Sequence, residues 1–258
     1  MASKELTTKT ETTTAIETWD DIDWGDDGSE DVRPSYPVVK LVQAVSTMKD
    51  STKHIGDWHR SDTDTYMPSP IAVGILAMKR TRALWEKGTD TPLCRSDDAR
   101  VPAPRQPQWE GQEQPRTCAE CPFSQWGEDD TPPACKASMV LFADLNVDGE
   151  TPEMAQVRLS TTSIKPFDQF VARRVVPKGR KLCQFRFELG SEEQQGGGNK
   201  YQRLTVYADD LPKAKAVEYA TRLRADREAF EAAAREVAHD DDGAAARQPN
   251  NGFIDVED

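Results

Sequence analysis

The sequence lacks any long apolar segment. Hydrophobic residues make up 36% of the chain, and an apolar stretch such as residues 71–78 falls far short of the ~20 residues that a membrane-spanning helix needs. The N-terminus is polar and acidic and has none of the apolar core of a secretory signal peptide. We therefore expect a soluble, intracellular protein of the cytoplasm.

The sequence also lacks the short motifs of common enzyme classes. It contains no GxxxxGK(S/T) phosphate loop, no HExxH metalloprotease motif and no GxSxG nucleophile motif. Three scattered histidines, His54, His59 and His239, leave little for acid–base catalysis. We therefore predict a protein that is not an enzyme. A nuclease that uses Asp and Glu stays open as an alternative, because its carboxylates need no local motif.

Cysteine is scarce, yet four of the five cysteines fall within 42 residues. Cys94, Cys118, Cys121 and Cys135 have the spacing C-x23-C-x2-C-x13-C. Two sulfurs of a CxxC turn can reach one metal ion, and four thiolates in a tetrahedron suit Zn²⁺. We predict one structural zinc ion held by these four side chains, with an iron–sulfur cluster, unligated thiols or two disulfides as alternatives. The fifth, Cys183, is predicted to be a core residue.

Acidic charge is concentrated at the two ends of the chain. Residues 1–31 hold ten acidic side chains against two lysines, and residues 239–258 hold six against one arginine. Because the whole chain has a net charge of −12, the part between the tails is close to neutral and can carry a basic surface. We predict disordered tails at 1–33 and 239–258 on either side of a single domain, 34–238.

Short apolar or alternating segments predict a mainly β fold with a short and a long helix. An insert at 88–138, rich in proline and cysteine, is too irregular to form a core of its own. The short helix is predicted from Ile164 to Val175, capped by Ser163, and the long helix over 211–237. Residues 191–200 are predicted to be a flexible hairpin linker. The predicted strands are Tyr36–Val45, Ile71–Lys79, Met139–Leu145, Val157–Thr162, Leu182–Leu189 and Gln202–Tyr207.

The densest basic run holds seven cations within 22 residues, and Asp168 is the one acid inside it. Such a run suits a phosphate-binding edge, or it is simply a solvated face. Tyr207, on the polar face of the following strand, is the candidate for stacking on a base. Phe185 and Phe187 are predicted to be core residues, and Trp126 is predicted to pack over the metal loop. The predicted nucleic-acid-binding residues are Lys165, Arg173, Arg174, Lys178, Arg180, Lys181, Arg186 and Tyr207.

The cysteines, the short strands around them and the acidic C-terminus together resemble the phage-type single-stranded DNA-binding proteins. The resemblance covers residues 36–258 and lies in the order of motifs. It implies an OB-like Greek-key barrel interrupted by a zinc-binding insert, in a phage or mobile-element protein that protects single-stranded DNA in the host cell. It also implies a tail that recruits replication or recombination proteins. The tail residues implied in partner binding are Phe253, Ile254, Asp255, Glu257 and Asp258.

The chain departs from that family pattern in two features. Its predicted metal ligands include no histidine, and its N-terminal arm is acidic where the family has a basic one. A second hypothesis therefore stands beside the first. On that hypothesis the chain is a zinc-stabilised adaptor or transcription factor that binds proteins or duplex DNA through its tails.

Overall fold

The computed structural model describes residues 36–44, 46, 50–86, 92–103, 107–111, 113–127, 131–196, 199–225, 227 and 230. The chain divides into two compact units, Met1–Pro34 and Ser35–Asp258, and every described residue belongs to the second. Both predicted tails and the end of the predicted long helix lie outside the described residues. No helix within these ranges is long and apolar enough to cross a membrane.

The described part of the chain is mainly β and forms one curled mixed sheet with two helices. The neighbour order is β3-β2-β1-β7-β6-β4-β8-β9, and β5 pairs with β4 beside that path. Neighbouring strands are antiparallel except β1 and β7, which are parallel. The strands are β1 (Val38–Leu41), β2 (Trp58–Arg60), β3 (Thr65–Met67), β4 (Ile71–Leu84), β5 (Cys94–Ser96), β6 (Lys136–Asp144), β7 (Met154–Leu159), β8 (Phe185–Gly196) and β9 (Asn199–Asp210).

Strand β4 is the longest strand and the centre of the sheet. It pairs with β6 along one edge, and on the other edge with β8 over Ile71–Gly74 and with β5 over Arg82–Leu84. A bulge between Ile75 and Ala77 interrupts its pairing with β6 and bends the strand. The cysteine-rich insert is the connection between β4 and β6, so β4 carries it at its C-terminal end.

Each face of the sheet has its own core. On the inner face, Val73, Ile75, Phe185 and Phe187 alternate with polar or outer-face residues along β4 and β8, as expected for strands with period two. Helix α1 (Thr161–Phe170) packs there through Phe167, whose ring centroid lies 6.2 Å from that of Phe187. Phe185 and Phe187 are therefore core residues, as predicted.

The second core lies on the outer face, under helix α2 (Lys213–Ala225). Phe142 stacks on Phe230 with centroids 4.9 Å apart, and Cys183 is buried in the same cluster, as predicted. Tyr219 is fully buried and donates a hydrogen bond of 2.7 Å from its hydroxyl to Asp144. Tyr219 thus ties α2 to the sheet, together with Ala220 and Leu223 of the same cluster.

Side-chain hydrogen bonds complete the curl of the sheet where strand pairing stops. The Gln43 amide accepts a hydrogen bond from the Gln202 backbone N–H at 2.9 Å and donates one to its carbonyl at 3.1 Å. The Trp58 indole donates to the Leu189 carbonyl at 3.2 Å. The Gln43 side chain thus bonds the same backbone groups of β9 that a neighbouring strand would bond. With this contact the curled sheet has the shape of a half-barrel.

Several predicted boundaries are wrong. Helix α1 begins at Thr161 after Ser160, and the predicted cap Ser163 is instead buried inside the helix. The helix then continues as a π-turn (Val171–Val175) and ends near Gly179, whose φ of +63° suits glycine. The predicted linker at 191–200 is mostly strand, because β8 and β9 pair far beyond the sheet. Short strands β2, β3 and β5 were not predicted, since three residues carry too little periodicity.

The close approach of α2 to β4 gives a test of this packing. A Cβ at Gly74 would overlap the Tyr219 ring, so we expect Gly74→Ala to lower the free energy of unfolding by roughly 1–3 kcal/mol through overpacking. Chemical denaturation measures the loss. In a Tyr219→Ala background the same change should cost much less, and equal costs in both backgrounds would contradict the contact.

Candidate functional site

The four cysteines of the insert come together around one small cavity. Cys94 opens β5, Cys135 directly precedes β6, and Cys118 and Cys121 lie in the turn between them. Each side chain is 7–8% exposed, and all five cysteines of the chain are free thiols. The cavity has a volume of about 10 Å³ and is also lined by Arg82 and Trp109. A space of this size holds about one water-sized particle.

Backbone hydrogen bonds hold the turn that carries the CxxC pair. The Cys118 N–H donates to the Arg100 carbonyl at 2.7 Å, and the Cys121 N–H donates to the Cys118 carbonyl at 3.4 Å. The single hydrogen of the Ser124 hydroxyl is shared between the carbonyls of both cysteines. The Cys135 N–H donates to the Phe123 carbonyl at 2.8 Å, which ties the turn to the start of β6. The turn therefore carries the thiols of Cys118 and Cys121, and its hydrogen bond to Cys135 keeps the third thiol near them.

Burial makes two of these thiols, Cys94 and Cys135, difficult to ionise without a compensating charge. It raises the pKa of Cys94, and it raises the pKa of Cys135 to about 12. Two neighbours act in the opposite direction: the Trp109 indole lowers the pKa of Cys94, and the Arg82 guanidinium lowers that of Cys135. A bound cation would supply the larger part of the compensation.

The residues present fit a metal held by thiolates, on the chemistry of the donors. Four soft sulfur donors line the cavity, and the buried Trp109 Nε1, which forms no hydrogen bond of full geometry among the described residues, is close enough to Cys94 to lower the pKa of that thiol. A thiolate at Cys94 would give that N–H an acceptor. No group of three or more Cys, His, Asp or Glu side chains in the described ranges is arranged to hold a metal ion as it stands. Zinc therefore stays a prediction. Arg82 and Trp109 were not identified from the sequence, because neither has a recognisable spacing to the cysteines.

The predicted basic run separates into two groups. Lys165 lies on α1, Arg173 and Arg174 lie on the π-turn, and Lys178 and Lys181 follow it; all five are exposed. We call these five residues the basic ridge. Within the described chain, only Lys178 of the ridge approaches an acid, Asp210, at 4.0 Å.

Arg180 and Arg186 form the second group and are already paired. Arg180 lies 2.6 Å from the Asp210 carboxylate and 4.6 Å above the centre of the Phe185 ring. Arg186 donates to Asp148 at 2.9 Å and to Glu188 at 2.7 Å.

Asp168, the one acid within the run, pairs with Arg80 of β4 at 2.5 Å and not with a cation of the run. The acids that neutralise the run come from other parts of the chain, which sequence spacing does not reveal.

Tyr207 is an exposed aromatic side chain that the charge of Arg174 in the ridge reaches. Its side chain is 56% exposed, and its hydroxyl donates to Asp209 at 3.0 Å. That hydrogen bond raises the pKa of Tyr207, whereas the nearby charge of Arg174 lowers it. Tyr207 also faces Glu188 across the hairpin. The ring is accessible to solvent, and it is close enough to Asp209, Glu188 and Arg174 for all three charges to act on it.

Trp126 does not pack over the cysteine turn, contrary to the prediction. It is 67% exposed, and the ring that packs on Phe123 is Trp109, at 5.8 Å. The Gln125 side chain donates to the Ala119 carbonyl, and the Gly127 N–H donates to the Thr131 carbonyl at 2.9 Å. These bonds hold the backbone on both sides of Trp126 while its indole stays in solvent.

The predicted tail residues lie outside the described residues. These are Phe253, Ile254, Asp255, Glu257 and Asp258. Their role in partner binding therefore stays a prediction from the sequence. The tail differs in this respect from the cysteines and the ridge, which the structure places.

We expect the purified protein to hold about one zinc ion per chain, because four thiolates close one tetrahedral site. Cys118→Ser should lose the metal and open residues 92–127 to protease, whereas Cys183→Ser, a buried thiol of another cluster, should keep it. Elemental analysis and limited proteolysis measure both effects. Freshly reduced protein that contains neither zinc nor iron would contradict the metal site.

No protein-family model, no curated protein and no solved structure matches this chain. The resemblance to phage-type single-stranded DNA-binding proteins consequently has no support from relatives. It stands on the cysteine spacing, the strands and the acidic tail. The residues that bear on function are therefore those of the cysteine cavity, the basic ridge and Tyr207.

Proposed function

We propose that this protein binds single-stranded DNA, is not an enzyme, and serves the replication or recombination of a phage or mobile element. The observation that carries the proposal is the basic ridge together with the exposed ring of Tyr207, which the charge of Arg174 reaches. Exposed cations pair with phosphates in any sequence, and an exposed aromatic ring stacks on unpaired bases. Bases inside a duplex are not available for such stacking, so this combination favours a single strand.

The order of the strands supports an OB-like Greek-key barrel as the framework. In a Greek key, three consecutive antiparallel strands are followed by a fourth that returns beside the first. Apart from β5, which lies in the insert, β4, β6 and β7 are such a series, and β8 returns beside β4 after α1. Strand β9 then pairs with β8 as a fifth strand. OB folds are small barrels of this kind that bind oligonucleotides.

The cysteine centre has a structural role in this proposal. Cys94, Cys118, Cys121 and Cys135 would hold the zinc ion, and four protein ligands leave no open position for catalysis. Zinc would supply the folding energy that a segment with few core residues lacks. The insert then keeps one conformation at the end of β4.

The adaptor hypothesis retains one specific observation in its favour. Trp126 is a large ring exposed on the cysteine insert, and tryptophan is the residue type most enriched among the anchors of protein interfaces. A partner protein could therefore bind the insert instead of, or together with, DNA. The acidic tail at 239–258, with Phe253 and Ile254 as apolar anchors, is a second proposed site for replication partners.

Replacing Arg173 and Arg174 by glutamine should weaken binding of a labelled single-stranded oligonucleotide. The slope of log affinity against log salt should become shallower by about 1.4, since each lost phosphate contact removes ~0.7 of a released counterion. Fluorescence anisotropy over a salt series measures both quantities.

The matched control removes the same charge elsewhere. Lys53→Gln with Lys200→Gln deletes two exposed cations that each pair with an acid, Asp50 and Glu193, and should leave the slope unchanged. If the wild-type protein prefers duplex DNA, or binds neither form at low salt, the single-strand proposal fails and the adaptor hypothesis replaces it.

Deleting residues 240–258 should tighten single-strand binding at low salt, because an acidic tail competes with DNA for the same cations. The gain should fade as salt rises, since screening weakens interactions between exposed charges. The same deletion should abolish recovery of replication proteins in a pull-down. Unchanged affinity together with unchanged recovery would reduce the tail to a solubility element.

A further inference from the structure

Two adjacent valines, at the end of the π-turn and directly after it, differ sharply in burial. Val175 is 3% exposed and belongs to the inner core, whereas Val176 is 63% exposed. Pro177 follows and is exposed as well. The turn therefore holds two neighbouring apolar side chains in solvent, directly beside a residue that it buries. We call Val176 and Pro177 the apolar tip.

The apolar tip lies in the middle of the basic ridge. Arg173 and Arg174 precede it along the chain, Lys178 and Lys181 follow it, and all four cations are exposed. At a helical rise of about 1.5–2 Å per residue, Arg173 and Lys178 lie within about 10 Å of each other along the turn. A ligand whose anionic groups pair with cations on both sides therefore lies across the tip.

The backbone of the turn fixes the position of the tip. Val175 anchors the turn in the inner core, and the ring of Pro177 restricts its own backbone torsion φ. The Gly179 N–H donates to the Val176 carbonyl at 2.9 Å, and Gly179 closes the turn at a φ of +63°. Because the tip is already ordered, a ligand that contacts it loses little affinity to the ordering of this segment.

An apolar tip between cations suits a ligand that carries apolar groups among its negative charges. A nucleic-acid strand has this composition, and thymine adds a C5-methyl group that apolar side chains contact. An anionic lipid surface has it too. Two small side chains, however, offer far less apolar area than the amphipathic helices with which proteins bind such surfaces. The size of the tip therefore favours a single base.

We propose that Val176 and Pro177 contact an unpaired base of the strand whose phosphates the basic ridge binds, and that this contact favours thymine. The inference rests on the proposed function and deepens it, because it gives the binding surface a preference among bases. Tyr207 stacks on the face of a base, which every base has. The apolar tip instead contacts a methyl group, which only thymine among the DNA bases carries.

The first arm of the test compares two labelled single strands on the full chain. Oligothymidine and oligodeoxyuridine of about ten nucleotides fit the usual site sizes of single-strand binders, and their bases differ only in the C5-methyl group. The wild-type protein should bind oligothymidine about fourfold more tightly, as expected when one methyl group is buried. Fluorescence anisotropy measures both affinities.

The second arm changes the tip without changing its charge. Val176→Thr replaces one methyl group by a hydroxyl, so it should bring the two affinities together and leave the salt slope unchanged. The matched control is Val217→Thr, at a valine of α2 that is 56% exposed, and it should keep the wild-type ratio. Tyr207→Ala should weaken binding of both strands by the same factor. Thermal unfolding establishes that each variant is folded.

The outcomes separate this proposal from the proposed function. Wild-type protein that binds both strands equally well overturns the thymine preference and leaves single-strand binding intact. A ratio that persists in Val176→Thr, or that only Tyr207→Ala removes, overturns the role of the apolar tip. Wild-type protein that binds neither strand overturns both proposals. If that protein binds anionic phospholipid vesicles instead, the tip serves a lipid surface.

Discussion

The pairing of β4 along both of its edges is the constraint on which the rest of the structure depends. Its first half holds β8 and the inner core, and its last three residues hold β5 and the cysteine insert. The bulge after Ile75 lets one strand serve both tasks, because it re-aims the side chains that follow. Gly74, in the same strand, provides the space into which Tyr219 brings α2. Both cores and the insert are thus positioned by β4.

Charge is distributed according to what each surface can neutralise. Arg180 and Arg186 form ion pairs with carboxylates from other segments. Their charge is therefore largely neutralised within the fold. The five cations of the basic ridge are exposed at the surface. The cysteine cavity poses the opposite problem, since buried thiols resist ionisation until a cation compensates them. In both proposed sites a ligand would therefore supply the opposite charge: phosphates at the basic ridge and a metal cation at the cysteines.

Residue patterns predicted the parts of the fold that depend on near neighbours. The alternation through Phe185 and Phe187 predicted an inner-facing strand, and the CxxC pair with its flanking cysteines predicted side chains that the structure brings to one cavity. The helix after β7 was predicted with its start three residues too late. Trp126 was predicted to pack, and failed, because burial of a single ring depends on neighbours that spacing along the chain does not specify.

Sequence alone therefore determined the mainly β class, the grouping of the cysteines and the location of basic charge along the chain, since periodicity and spacing are local properties. Only the tertiary structure decided which cations of the basic run pair with acids. Asp148 and Asp210 reach Arg186 and Arg180 from distant segments. Only strand register decided that Arg95 and Lys136 both pair with Ala83. Pairing across a sheet brings together residues that are distant in the sequence, so the pattern within one segment does not predict it.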